Sequence, residues 1–184
     1  MTVETRTHLD GDLAEQAWKL YDTAMAPLNQ LAVQRHLMHR SEFNEVATDR
    51  RVDKVLTYDN DASLIGLATF TNHLDAVPLI SPAYFEHHWP DLYREHRIWY
   101  IGFVVVADHA RTSPAFVEAF AHYYRVAAAA DGIIGLDVCA HNETTRRLPL
   151  IIALQLRRIS DGNSRYRRAD EQSYWIYDMN GRHL

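Results

Sequence analysis

The hydrophobic positions change period several times along the chain, and each change marks an element. Leu13, Ala17, Leu20, Ala24, Met25 and Leu28 recur at three- and four-residue spacing, which predicts a helix capped by Asp12 and ended or kinked at Pro27. Leu31, Leu37, Met38, Phe43 and Val46 predict a second helical stretch over 31–46. The pattern then shortens to strand length at Asp53–Thr57 and Leu64–Thr71, with Tyr58-Asp59-Asn60-Asp61 between them as the turn of a hairpin.

Ile98 to Val106 is an almost unbroken apolar run, as expected of a strand buried on both faces. Only Gly102 interrupts it, which predicts a bulge or a close approach by another backbone or a ligand. Ser113 as N-cap and Pro114 at the first helical position open a helix over Ala115–Ala130, with Phe116, Phe120, Tyr123 and Tyr124 on its apolar face. Asp131-Gly132 stops it, and Ile133, Ile134, Leu136, Val138 and Cys139 form a second strand ending at His141 and Asn142. Strand, crossover helix and parallel strand make a βαβ unit, whose turn aims N–H groups at the space beyond the first strand. A helix over Glu143–Leu156, interrupted at Pro149, and an aromatic strand over Gln172–Met179 complete an α/β chain with a mixed sheet.

Composition narrows the function classes. At 184 residues the chain reads as one domain, 1–184, with 1–12 as a flexible leader. A formal net charge of -5 disfavours nucleic-acid binding, and Arg157, Arg158, Arg165, Arg167 and Arg168 are interleaved with Asp161 and Asp170. One cysteine excludes an internal disulfide framework, there is no signal-peptide pattern, and no apolar run reaches membrane-span length. The expectation is a soluble cytoplasmic protein with no nucleic-acid or membrane partner.

In this order of elements the chain resembles the GNAT acyltransferases. The resemblance implies a strand that splays from its parallel neighbour, with the pantetheine arm of acetyl-CoA or another acyl-CoA in the gap. It assigns pantetheine to the backbone of Val104 and Val106 and pyrophosphate to Arg111, Thr112 and Ser113, and it matches Asn142 to the family's asparagine after the second strand. Pro114 and Phe116 depart from the family's small-residue loop: proline removes an N–H donor and phenylalanine fills space. The family's tyrosine on the next helix has no counterpart among Leu148, Pro149, Leu150, Ile151 and Ile152. Leu37-Met38-His39-Arg40-Ser41-Glu42-Phe43, followed by Asp53, is similar to the front of the N-acyl amino acid and acyl-homoserine-lactone synthases, which implies an acyl carrier protein as alternative donor.

Several side chains are then candidates for the chemistry. His141, at the mouth of the parallel strands, is placed to accept a proton from an amine nucleophile. His36, His39 and Glu42 fall at three-residue steps on one predicted helical face, able to bind a metal, to act on an amine or simply to be solvated. Tyr84, Tyr100 and Tyr58 are candidate acids or site linings, and the aromatic stretch Tyr84, Phe85, His87, His88 and Trp89, with a short helix over Pro82–His88, reads as a lid. Cys139 could carry an acyl group or fill core space. Three readings follow: an acyltransferase from acyl-CoA to a small-molecule amine, a carrier-protein-dependent synthase, or a silent ligand- or partner-binding member of the fold, with a homodimer compatible with each.

Overall fold

The computed structural model describes residues 1–78, 80–110 and 115–179, with the backbone alone at 115 and 116. In chain order the strands are β1 (Thr2–Arg6), β2 (Asp53–Tyr58), β3 (Leu64–Thr71), β4 (Ile98–Val106) and β5 (Ile133–Leu136). They lie side by side in that order; β1 to β4 are antiparallel and β5 runs parallel to β4. The helices are α1 (Gly11–Met25), α2 (Leu28–Leu31), α3 (Arg40–Thr48), α4 (Pro82–His88), α5 (Pro90–Arg94), α6 (Ala115–Ala129), α7 (Ala140–Thr144) and α8 (Leu148–Ile159).

Period-two alternation along β4, shifted by one residue at a bulge beside Gly102, sorts its side chains onto two faces. Phe103 and Val105 pack with Tyr21 of α1 and Phe43 of α3 on one side. Trp99, Ile101 and Val104 pack with Phe120 and Tyr123 of α6 and Ile152 of α8 on the other. Phe70 anchors that second layer: it is fully buried, stacked on Trp99 at 4.8 Å and on Tyr123 at 4.6 Å between ring centres.

The expected irregularity at Gly102 is a bulge. Ala68 pairs Val104 and Phe70 pairs Ile101, so two residues of β4 face Thr69 alone. Phe103 N–H donates to Thr69 Oγ1 at 3.2 Å, and a Cβ on Gly102 would sit 2.7 Å from that same oxygen. A side chain at 102 would displace the hydroxyl that satisfies the bulge.

Other expectations change. The presumed leader supplies β1, paired with β2 over five residues, and Leu9 behind it is buried. The second helix is confined to α3, because the hydroxyl of Tyr21 donates to His36 O and accepts from Met38 N, both at 3.0 Å, and holds the preceding stretch outside a helix. Pro149 does not interrupt a helix; it lies in the first turn of α8, where a missing N–H is harmless. β5 ends at Leu136 instead of Cys139, His141 and Asn142 lie in α7, and 172–179 forms no strand.

Two buried tyrosines give a contrasting pair. The Tyr123 hydroxyl is buried with no hydrogen-bond partner among the described residues, while Tyr21 makes the two bonds just described. Tyr123→Phe is therefore expected to leave stability unchanged or raise it by about 1 kcal/mol, and Tyr21→Phe to lower it by about 2 kcal/mol. Urea denaturation checks both, and a larger loss at Tyr123 than at Tyr21 would contradict the pairing.

Candidate functional site

β5 hydrogen-bonds β4 over a short length: Ile98 pairs Ile133, Trp99 pairs Ile134, Tyr100 pairs Gly135 and Ile101 pairs Leu136. There the strands part. β4 continues through the bulge to Val106, while the chain after Leu136 turns through Asp137, Val138 and Cys139 into α7.

The parity of β4 decides what faces the gap. Ala107 N–H donates to Ile65 O at 2.8 Å and Val105 pairs Leu67, so beyond the bulge the odd positions turn their peptide groups toward β3. Antiparallel pairs alternate between bonded and non-bonded positions. The N–H and C=O of Val104 and Val106 therefore point the other way, toward the side that β5 has left. Asn142 Oδ1, on the helix α7 that follows β5, is buried with no hydrogen-bond partner among the described residues. A buried polar atom left unsatisfied costs about 1–3 kcal/mol, which a donor from a ligand would relieve.

Tyr100 and Asp137 meet at the point of separation. The Tyr100 hydroxyl donates to Asp137 Oδ1 at 2.9 Å, and the ring is 5% exposed. Burial, reinforced by the Asp137 charge, pushes the phenol well above its ordinary range, so it stays protonated at neutral pH. Gly135 makes room for the ring, since a Cβ there would lie 3.0 Å from it. Sequence reading passed over Asp137, although it is the first charged residue after the apolar run of β5.

Of the expected catalytic residues, His141 lies half-buried on α7 beside Asn142. Tyr84 on α4 donates to Ala169 O at 3.0 Å, and its ring packs edge-on against Phe85, which in turn packs edge-on against Tyr100. His39 and Glu42 are elsewhere, at the start of α3, and with His36 they do not share a helical face. Glu42 accepts from both terminal nitrogens of Arg35 at 2.7 Å and from His39 N at 2.5 Å. The Arg35 guanidinium first, then the His39 N–H, hold its carboxyl down to about 2, and a group so acidic is a poor base at neutral pH. Arg111, Thr112 and Ser113 lie outside the described residues; α6 begins just after them.

The stretch following α8 ties this region together. Arg168 pairs with Glu143 of α7 and with Glu171, the Arg167 guanidinium lies 5.2 Å from the Trp89 ring centre, and Tyr174 donates to Gln34 at 3.3 Å. No group of three or more His, Cys, Asp or Glu among the described residues could hold a metal ion, and no helix among them is long and apolar enough to cross a membrane. A hollow of about 450 Å³ lies at the β2–β3 turn beside Met1 and Tyr58, and one of about 220 Å³ beside His73 and His96; neither borders the gap.

No protein-family model and no curated protein matches the chain. Solved structures do. AAC(6')-Iy in complex with the bisubstrate analogue CoA-S-monomethyl-acetylneamine aligns over 97% of this chain and 99% of its own at 9% identity, with a TM-score of 0.54. A possible acetyltransferase from Clostridium difficile 630 aligns over 97% and 100% at 13% identity, TM-score 0.53. An aminoglycoside 6'-N-acetyltransferase complexed with coenzyme A aligns over 74% of this chain, which spans 61% of that protein's length, at 15% identity and TM-score 0.48. The full-length likenesses establish the fold: the mixed sheet and flanking helices are those of the GNAT acetyltransferases.

Proposed function

We propose that the protein transfers an acyl group from the thioester of acyl-CoA to an amine of a small molecule. The observation that carries this is the parting of β4 from β5 after Ile101 and Leu136, which turns the peptide groups of Val104 and Val106 toward the side that β5 has left. A pantetheine arm is a chain of amides and methylenes, so it can pair with those two peptides as a strand would while its apolar parts lie along the gap. Asn142 Oδ1 would accept a further amide N–H from it. Arg111, Thr112 and Ser113, immediately before α6, would take the pyrophosphate with a cation and helix N-terminal donors. A coenzyme A bound by AAC(6')-Iy as part of a bisubstrate analogue, on the same fold, supports the reading.

In the transfer step the amine nitrogen attacks the thioester carbonyl, the C–S bond breaks, and the sulfur leaves as a thiolate that takes a proton. His141 is the base proposed to accept the amine's proton and to return it to the leaving thiolate, and Tyr100, whose O–H is committed to Asp137, lines the point where the gap opens. Tyr84 lines the acceptor side through Phe85. Glu42 and His39 are assigned to the start of α3 and the Arg35 pair, not to proton transfer.

Pro114 and Phe116 favour one alternative donor, an acyl carrier protein, which presents pantetheine without the adenine nucleotide. A thermal-shift titration separates the two. Coenzyme A at a hundred times its Kd should stabilise the chain by about 2.7 kcal/mol, or roughly 5–10 °C for a domain of this size. Arg111→Ala should reduce that shift. No shift with coenzyme A but a shift with phosphopantetheine-loaded carrier protein would move the assignment to the alternative, and no shift with either would remove the acyl-transfer reading.

A further inference from the structure

The hollow of about 220 Å³ beside His73 and His96 lies where β3 ends and β4 begins, and the acyl-transfer reading makes no use of it. Its two imidazoles come from separate elements, one just after β3 and one just before β4, and their ring centres are 5.5 Å apart. That spacing fits a shared metal ion. With a metal–nitrogen bond of about 2.0–2.1 Å, the metal lies roughly 3.2 Å from a ring centre, so two imidazoles at a tetrahedral angle have centres about 5.2 Å apart.

Both histidines are held from behind. His73 N–H donates to Thr71 Oγ1 at 3.0 Å, and that hydroxyl donates to Arg51 O at 2.7 Å. His96, in left-handed backbone at φ +53°, donates its N–H to Tyr93 O at 3.1 Å, while Asn72 Nδ2 donates to His96 O at 2.9 Å. Asn72 thus ties the two positions to each other. The rings themselves are exposed and make no hydrogen bond or ion pair among the described residues.

The surrounding charges are already matched: Arg51 pairs with Asp75, Arg94 with Asp91 and Arg97 with Glu95. An anion therefore meets no uncommitted guanidinium, and Asp75 is engaged elsewhere. What stays unclaimed is the imidazole pair. No third His, Cys, Asp or Glu joins it among the described residues, so water completes the shell, and at about 30 Å³ per water the hollow has room for several. His87 and His88 are as close, with ring centres 5.1 Å apart, but they are successive residues of α4, where side chains diverge by about 100°.

We propose that His73 and His96 chelate one divalent cation of the zinc, nickel and copper class, clipping the end of β3 to the start of β4. Imidazole nitrogen suits these ions, whereas magnesium and calcium take oxygen ligands. A metal held by ligands from two separate elements binds the folded chain in preference to the unfolded one, so it stabilises the fold. The proposal is independent of the acyl-transfer reading, because it uses neither the gap nor coenzyme A.

The test is calorimetric titration of the untagged full chain with Zn²⁺, together with thermal unfolding at the same metal concentrations, in four forms: unsubstituted, His73→Ala, His96→Ala and His88→Ala. All three side chains are exposed, so each variant should keep its circular-dichroism spectrum. The unsubstituted chain and His88→Ala should bind Zn²⁺ saturably at one ion per chain, and Zn²⁺ at a hundred times its Kd should raise Tm by roughly 5–10 °C. Mg²⁺ should give no shift. His73→Ala and His96→Ala should each weaken Zn²⁺ binding by more than about tenfold. Absence of saturable Zn²⁺ binding, binding unchanged in His73→Ala or His96→Ala, or an equal loss in His88→Ala overturns the proposal.

Discussion

Phe70→Ala is expected to lower the unfolding free energy by about 4 kcal/mol, the cost of removing a fully buried aromatic ring from a packed core. The ring is sandwiched: Trp99 stacks at 4.8 Å with 11° between planes, and Tyr123 at 4.6 Å with 29°. Neither neighbour can collapse into the space without leaving β4 or α6, so the cavity remains. The position matters as much as the volume. Phe70 pairs with Ile101, which is also the last residue of β4 paired to β5, and the Gly102 bulge follows at once. Loss of the ring should therefore loosen the point at which the gap opens. Urea denaturation gives the magnitude, and a loss below about 1 kcal/mol would show that the sandwich is not the core described.

Gly132→Val is expected to cost about 3 kcal/mol through overpacking, and to diminish any coenzyme A shift. A Cβ on Gly132 would collide with the carbonyl oxygen of Arg97 and crowd that of Ala127. Both are backbone atoms in use: Ala127 O accepts from Gly132 N at 2.9 Å, and Arg97 O accepts from Ile133 N at 3.0 Å. The turn cannot give without moving the start of β5, and β5 has only four residues with which to hold its register. Gly132→Ala meets the same oxygen with a smaller group, so its effect should be of the same sign and smaller. A valine variant with unchanged stability would mean that the α6–β5 turn is not as tight as described.

Much of this architecture was legible because it is local. The β2–β3 hairpin, the run of β4, the alanine-rich α6 and the short α4 each carry their own periodicity, turn residues or caps, and the bulge announced itself as a lone glycine in an apolar run. The errors arise where a distant residue decides. Residues 32–39 look helical, but the Tyr21 hydroxyl fixes them as an irregular stretch from another element. β1 is short and polar, with no apolar alternation, and exists because β2 offers it an edge. The aromatic stretch 172–179 reads as a strand and forms none among the described residues.

The candidate site divides along the same line. The resemblance to the acyltransferases points to Val104 and Val106, and the Gly102 bulge, which shifts the register of β4, turns their peptides toward the gap. His39 and Glu42 were spaced for a helical face, but Arg35, outside the helix, claims the carboxylate. Tyr100 and Asp137 are thirty-seven positions apart and meet only because β4 and β5 are parallel neighbours in one particular register.

The central claim is that the gap beyond Ile101 and Leu136 receives a pantetheine arm on the peptides of Val104 and Val106. Amide-resolved NMR of a chain labelled with ¹⁵N-valine, titrated with coenzyme A, tests it directly. The amides of Val104 and Val106 should shift and gain protection from hydrogen exchange, while Val105, already bonded to β3, should change little. Movement of Val105 alone, or no change at any of the three under saturating coenzyme A, would contradict the account.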